Sequence, residues 1–207
     1  MPRPGRMAAG GGPLLTTHDH PGKTRAGTST VEPGLAIGGI VTELPELLGL
    51  DGKPVSLNSR GQDTVLVLAF LGNACPAVKA CIGSLNALQV AFAARGVRVV
   101  AVNSNNPYLS PQDSLAEMDR WATERGIRVP YLKDMEGAFA RRMGITNTPQ
   151  FAVLDGDGRL RYRGRMFDSR DPARSTTRDL EDAVTCVLTG LPVKIPETHP
   201  LGCSIVW

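Results

Sequence analysis

The chain has 207 residues, of which 42% are hydrophobic and 21% are charged, and its formal net charge is +3 at pH 7. This composition predicts one globular domain with extensions, and the small charge argues against nucleic acid or acidic membrane as a main partner. No apolar run approaches the roughly 20 residues of a membrane span, and residues 1–33 lack the continuous apolar segment of a secretory signal. We therefore expect a cytoplasmic protein with a disordered tail over residues 1–33.

The predicted elements begin with a β-hairpin in LPELLGLDGKPVSL, which Asp51-Gly52 would turn. Apolar runs predict buried strands, and apolar positions spaced by three and four residues predict helices. In chain order after the hairpin, these are a strand over 64–70, a helix over 76–95, a strand over 97–103, a helix over 114–125, a short helix over 136–143, strands over 150–154 and 160–163, and a helix over 176–189.

This order of elements indicates an α/β protein whose central mixed sheet is flanked by helices on both faces. Parallel strands joined by helices come first, and an antiparallel pair follows them. The predicted domain covers residues 34–190, with the hairpin as its N-terminal extension. Residues 191–207 contain three prolines and form an extended tail that carries Cys203.

Cys75 follows a buried strand and directly precedes a helix that begins with Pro76. Unpaired N–H groups and the positive end of the helix dipole favour a thiolate at such a position, where the pKa of a cysteine can fall from about 8.5 to roughly 3.5–7.5. Lys79, one turn later, could add a positive charge. The alternative is a small buried hydrophobic residue at a strand end.

Pro149 immediately precedes a predicted central strand, where proline is normally excluded. A cis Thr148–Pro149 bond would turn the chain there and leave the Thr148 backbone able to pair with a peptide or a thiol partner. A trans proline at the first residue of a strand is the alternative.

These features together resemble the thioredoxin-like fold, and within it the redoxins, the thioredoxin-like and peroxiredoxin-like group. The resemblance covers roughly residues 35–207, in the segments LDGKPVSL, NACPAVKA, AVNSNN, LKDMEGAFARRMGITNTPQFAVLD, RYRG and GCSIVW. It implies an oxidoreductase in which Cys75 is the nucleophile of thiol–disulfide exchange or hydroperoxide reduction. Electron donors would be thiol or disulfide proteins or low-molecular-weight thiols, and no cofactor is expected.

The sequence departs from these families at defined positions. Val78 stands where thioredoxins have the second cysteine of Cys-x-x-Cys, so the resolving thiol must come from elsewhere. Gly72 stands where peroxiredoxins have the Thr or Ser that helps to bind peroxide, and Leu68 stands where they have Pro.

Two cysteines are candidates to resolve oxidised Cys75. Cys81 lies six residues further along the same helix, roughly 9 Å in rise, whereas a disulfide needs Cα atoms about 4.4–6.8 Å apart. Cys203 lies after Gly202 in the tail, where Ile205 and Trp207 can anchor the chain end. The sequence favours Cys203, with Cys81 as the alternative and simple packing of the tail as a third possibility.

A non-enzymatic binding or copper-handling module is the competing interpretation. Cys75, Cys81 and His199 would then be the metal-binding residues, although five residues between the thiols exceed the usual spacing. We predict no metal site for the oxidoreductase, and the sequence leaves its oligomeric state open.

Overall fold

The computed structural model describes residues 34–58 and 65–207, so the predicted tail over 1–33 lies outside the described residues. Most of the predicted elements are present with slightly different ends. The strands are β1 (Glu46–Leu48), β2 (Pro54–Ser56), β3 (Val65–Phe70), β4 (Val97–Asn103), β5 (Tyr131–Lys133), β6 (Asn147–Thr148), β7 (Gln150–Asp155), β8 (Leu160–Gly164) and β9 (Cys203–Ser204). The helices are α1 (Pro76–Phe92), α2 (Leu115–Arg125), α3 (Ala138–Arg142) and α4 (Asp179–Leu188).

Seven strands form the main sheet, in the order β2-β1-β5-β4-β3-β7-β8. The β3 strand pairs in parallel with β4 and antiparallel with β7, and β4 pairs in parallel with β5. The hairpin β1–β2 joins the β5 edge in antiparallel orientation. The predicted mixed α/β sheet with an N-terminal hairpin is thus confirmed.

The two faces of the central strand β3 belong to different apolar clusters, because side chains alternate along a strand. Val65, Val67 and Ala69 pack with buried residues of α1, α2 and α4. The intervening residues Leu66, Leu68 and Phe70 pack with α3 and with the end of the chain. The sheet therefore has helices on both faces, as the element order predicts.

Three short strands, β5, β6 and β9, were not predicted from the sequence. The β5 strand has three residues and β6 and β9 have two each, which is too few for alternation to stand out. The last helix begins at Asp179 rather than at 176, because the Thr176 backbone N–H and hydroxyl both bind the Asp168 carboxylate instead of starting a helical turn.

One expectation about apolar runs was wrong. The 20-residue segment Pro76–Arg95 is long and apolar enough, by length and composition alone, to cross a membrane. Alanines between the larger apolar residues raise its mean hydropathy. In the structure this segment contains the core helix α1, which buries Val78, Ile82, Leu85 and Leu88 against the sheet.

Leu85 tests how much α1 contributes to stability, because its side chain is fully buried in the cluster under that helix. We expect Leu85→Ala to lower the free energy of unfolding by about 2–5 kcal/mol, through lost burial and the cavity left behind. Val90→Ala on the same helix, where 73% of Val90 is exposed, should change it by less than about 0.5 kcal/mol. Urea unfolding of both variants measures the difference, and equal losses would contradict this account of the core.

Candidate active site

Cys75 lies between the carboxyl end of β3 and the first turn of α1. Its backbone is extended (φ −73°, ψ 120°), it is the residue that caps α1, and Pro76 is the first helical residue. A proline is tolerated there because the first N–H groups of a helix have no intrahelical partner. Only 3% of Cys75 is exposed, so its thiol is covered by other parts of the chain.

Thr148 supplies the first part of this cover. The Thr148–Pro149 peptide bond is cis, as predicted. The Cys75 thiol, when protonated, donates a hydrogen bond to the Thr148 carbonyl oxygen, with 2.9 Å between sulfur and oxygen. The backbone edge before the cis proline therefore faces the cysteine directly.

The C-terminal tail supplies the second part. Strand β9 pairs antiparallel with β6, so that Cys203 lies opposite Thr148 and Ser204 opposite Asn147. The Ile205 N–H group continues this pairing by donating to the Thr146 carbonyl oxygen at 2.9 Å. The Thr148 edge that was expected to receive a partner is thus occupied by the protein's own chain end.

Gly202 makes this close pairing possible. A β-carbon at position 202 would overlap the Thr148 carbonyl oxygen and would lie 3.0 Å from Pro149 Cδ. Only glycine lets two backbones come so near.

Residues after Cys203 anchor the tail. Ile205 is 4% exposed and packs in the cluster on the α3 face of the sheet. The Val206 N–H group donates to Asn105 Oδ1, and its carbonyl oxygen accepts from the Asn106 N–H group at 2.7 Å. The Arg141 guanidinium lies over the Trp207 ring, 4.2 Å from its centroid. Cys203 is therefore held at the site by apolar burial and backbone hydrogen bonds beyond it.

Cys203 lies opposite Thr148, whose carbonyl oxygen contacts the Cys75 sulfur, and the interaction of the two thiols shifts their pKa values in opposite directions. Burial raises the pKa of Cys75, but hydrogen bonds from the Cys203 thiol, the Cys203 N–H group and two N–H groups of the first turn of α1 outweigh it. The pKa of Cys75 is accordingly below its ordinary value. The two helix donors are Ala77 and Val78.

Cys203 has the higher pKa of the two thiols. Its hydrogen bond to Cys75, its partial burial and the nearby Cys75 thiolate raise its pKa to about 11, against the opposing charge of Arg170. Of the two thiols, Cys75 is therefore the one that loses its proton first, and Cys203 is the one that keeps its proton to higher pH.

Cys81 and Lys79 take less part in this arrangement than the sequence suggested. Cys81 lies in the same buried cluster as Cys75, and burial together with the Cys75 charge raises its pKa to about 12. The Lys79 side chain is exposed, and only its backbone N–H contacts Cys75, by donating to the carbonyl oxygen at 3.3 Å. The lowered pKa of Cys75 comes from hydrogen bonds, not from the Lys79 charge.

A buried polar network behind Cys75 was not found from the sequence. The Asp113 carboxylate is fully buried and accepts hydrogen bonds from the Asn73 N–H group at 2.8 Å, Asn103 Nδ2 at 2.7 Å and Asn105 Nδ2 at 3.0 Å. The ammonium group of Lys133 donates to Asn103 Oδ1 at 3.0 Å. Because Asn105 also binds Val206, the network joins the loop before Cys75 to the tail. The polar run AVNSNN after a buried strand was the available signal.

The described part of the structure contains no cluster of metal ligands that would support the copper-handling interpretation. Within residues 34–58 and 65–207, no group of three or more His, Cys, Asp or Glu side chains is placed to hold a metal ion. His199 is exposed in the tail, and the structure does not bring it together with Cys75 and Cys81.

Comparisons with known proteins agree with this geometry. The family model named Redoxin matches residues 36–184. The chain belongs to the Redoxin family. An uncharacterized conserved protein from Geobacillus kaustophilus is 32% identical, with 84% of this chain and 93% of that chain covered and a TM-score of 0.76. A hypothetical protein from Sinorhizobium meliloti is 29% identical, with 84% and 96% covered and a TM-score of 0.75.

A more distant redoxin-like structure extends the likeness in fold. A proposed thiol:disulfide interchange protein DsbE from Chlorobium tepidum is 21% identical, with 75% of this chain and 99% of that chain covered and a TM-score of 0.61. At this identity the likeness shows the thioredoxin-like fold. None of the curated proteins compared with the chain matches it significantly. Membership of the Redoxin family supports an oxidoreductase role for this protein.

Removing the Cys203 thiol should raise the pKa of Cys75. Cys203→Ala deletes a hydrogen-bond donor to the thiolate, and each pKa unit gained lowers the thiolate fraction about tenfold at pH values well below the pKa. The midpoint of the Cys75 alkylation rate against pH, followed by mass spectrometry, measures this. Cys203→Ser keeps a hydroxyl donor and should give a smaller rise. A midpoint for Cys203→Ala at or below that of the wild type would contradict the assigned cause.

Gly202→Ala should separate the tail from the Thr148 edge, because the added methyl group overlaps the Thr148 carbonyl oxygen. We expect faster alkylation of Cys75 and faster hydrogen exchange at the Cys203 and Ile205 amides. Gly83→Ala is the matched control, since a β-carbon there has no neighbour within 4 Å. Unchanged Cys75 alkylation in Gly202→Ala would show that the tail does not limit access to the thiol.

Proposed function

We propose that this redoxin is a thiol–disulfide oxidoreductase in which Cys75 is the nucleophile and Cys203 is the resolving thiol. The observation that supports it is the pairing of β9 with β6, which places Cys203 opposite Thr148, the residue whose carbonyl oxygen contacts the Cys75 sulfur. The pKa of Cys75 is lowered and that of Cys203 is raised. A thiolate is the reactive form of cysteine, and a neighbouring thiol is what releases a mixed disulfide.

The proposed reaction has two exchange steps. The Cys75 thiolate attacks one sulfur of a substrate disulfide. A bond forms between Cys75 Sγ and that sulfur, and the other half of the substrate leaves as a thiolate. That thiolate takes up a proton as Cys203 loses its own. The Cys203 thiolate then attacks Cys75 Sγ, forms the Cys75–Cys203 disulfide and expels the remaining substrate thiolate. Two cysteines are oxidised and one substrate disulfide is reduced.

Thr148 and Pro149 shape this site in the proposal. The Thr148 carbonyl oxygen contacts the Cys75 sulfur, and the Thr148 backbone fixes Cys203 by strand pairing. Pro76 is the first residue of α1, and the N–H groups of the next two residues, Ala77 and Val78, lower the pKa of Cys75. Cys81 stays a protonated core residue, because its pKa is raised to about 12.

Hydroperoxide reduction by the same pair is the second candidate. Here the Cys75 thiolate would attack the peroxide oxygen to give a sulfenic acid and an alcohol, and Cys203 would condense with the sulfenic acid to release water. One observation favours it. A β-carbon at Gly72 would lie 2.6 Å from Asn105 Nδ2 and 3.0 Å from Thr148 Oγ1, so an amide group and a threonine hydroxyl border the space where peroxiredoxins carry the side chain that helps to bind peroxide.

The test oxidises the reduced full-length protein with one equivalent of either a small disulfide or an organic hydroperoxide. We expect non-reducing peptide mapping to find the Cys75–Cys203 disulfide. Cys75→Ser should react with either oxidant much more slowly than the wild type. Cys203→Ser should stop at the first product on Cys75, which is a mixed disulfide with the small disulfide and a sulfenic acid with the hydroperoxide. Cys186→Ser is the matched control, because Cys186 is a free, half-buried thiol on α4, and it should behave as the wild type.

The two oxidants separate the two candidates by rate. A faster reaction with the disulfide supports exchange, and a faster reaction with the hydroperoxide supports peroxide reduction. A Cys75–Cys81 link, or full reactivity in Cys75→Ser, would overturn the assignment of the thiols. The proposed setting for either reaction is the cytoplasm, where a reducing thiol pool returns the pair to the dithiol form.

A further inference from the structure

The two sulfurs of the proposed disulfide differ in their access to solvent. Only 3% of Cys75 is exposed, whereas Cys203 is an exposed residue. A reductant that approaches from solvent meets the sulfur of Cys203 first, with the sulfur of Cys75 behind it. Reduction by an external thiol therefore begins at Cys203.

The backbone edge beside the pair is unavailable to a protein reductant. An extended segment of another protein can bind by adding a strand to a free edge, but strand β9 already pairs with Asn147 and Thr148. Buried Ile205 and the hydrogen bonds of Val206 hold the tail in place beyond Cys203. A Cys75–Cys203 disulfide would add a covalent link to this arrangement, so the oxidised form keeps the edge closed.

A cationic side chain lies next to the accessible sulfur. Pro149, Leu201, Arg165 and Arg170 line a small cleft beside the paired strands. The Arg165 guanidinium is engaged by the Asp179 carboxylate at 2.6 Å. The exposed Arg170 is near enough to Cys203 for its charge to favour the Cys203 thiolate. The positive charge of Arg170 attracts an anion to this cleft, whose lining residue Leu201 is two residues from Cys203 in the chain.

We propose that the reductant of the oxidised protein is a low-molecular-weight anionic thiol, which attacks Sγ of Cys203 and is drawn there by Arg170. This inference rests on the proposed function, because it requires the Cys75–Cys203 disulfide. It narrows the electron donors expected from the sequence, which included thiol proteins, to a small thiol that carries carboxylate groups.

The reaction consumes two molecules of the thiol. The first, as a thiolate, forms a bond to Cys203 Sγ and breaks the disulfide, and the electron pair leaves with Cys75 as its thiolate. A thiolate with a lower pKa leaves faster, and the pKa of Cys75 is below that of Cys203. The second thiol attacks the sulfur of the first thiol in the mixed disulfide. This forms the small disulfide and expels Cys203 as a thiolate, which then takes up a proton. Two thiols are oxidised and one protein disulfide is reduced.

The first experiment measures the rate at which thiols of different charge reduce the oxidised full-length protein. Glutathione carries carboxylates and cysteamine carries an ammonium group. Arg170→Ala should lower the rate constant with glutathione by about 3- to 10-fold, as expected for the loss of one nearby charge in water, and should not lower it with cysteamine. High salt should reduce the effect of the substitution.

Arg174→Ala is the matched control, because Arg174 is an exposed arginine of the same loop that pairs with Asp171. The oxidised Arg174→Ala variant should be reduced by glutathione and by cysteamine with the same rate constants as the wild type. An equal effect of Arg170→Ala on glutathione and cysteamine, or no effect on either, would overturn the role of Arg170.

The second experiment locates the first mixed disulfide. Oxidised protein is mixed briefly with glutathione, free thiols are blocked with a maleimide, and the peptides are mapped. We expect glutathione on Cys203 and the blocking group on Cys75. Glutathione on Cys75 would overturn the inference while leaving the proposed function intact. Faster reduction by a protein thioredoxin than by glutathione at equal concentration would also overturn it. Failure of the disulfide to form at all would overturn both.

Discussion

The pairing of β9 with β6 is the interaction on which the site depends. It places Cys203 opposite Thr148, and so brings the Cys203 thiol and N–H group to the sulfur of Cys75. Two strands of two residues have too few hydrogen bonds to be stable alone. Their stability comes from Ile205, which is buried in the core, and from Trp207 under Arg141. Hydrophobic burial at the chain end thus fixes a hydrogen bond between two thiols.

Three cysteines of one chain acquire different chemistry from their surroundings. Cys75 accepts several hydrogen bonds, which favour the thiolate against the effect of burial. Cys203 donates to that thiolate and therefore keeps its proton. Cys81, inside the apolar cluster, is held protonated mainly by burial. The differences among the pKa values of these cysteines are set by hydrogen bonding and solvation, since the thiol group itself is the same.

The buried polar network gives the site a second support. Unpaired polar groups are costly in a protein interior, yet the Asp113 carboxylate is satisfied by several donors, among them the Asn73 N–H group and Asn105 Nδ2. The Asp113 carboxylate holds the loop before Cys75 through its hydrogen bond from Asn73. It is also linked to the tail, because Asn105 accepts a hydrogen bond from the Val206 N–H group. The loop that carries Cys75 and the tail that carries Cys203 are therefore both connected to one buried carboxylate, through Asn73 and Asn105.

The sequence by itself determined the features that depend on neighbouring residues. Alternation and helical spacing predict the central strand and α1, and a proline after Cys75 predicts the helix start. The cis bond before Pro149 was predicted from the resemblance to the thioredoxin-like fold. The pairing of Cys203 with Thr148 was decided by the tertiary structure, because the two residues are far apart in the chain and strands of two residues leave no periodic signal. The same holds for the position of Arg170 beside Cys203. Local propensities fix where an element begins and ends, whereas contacts between distant segments depend on the packing of the whole sheet.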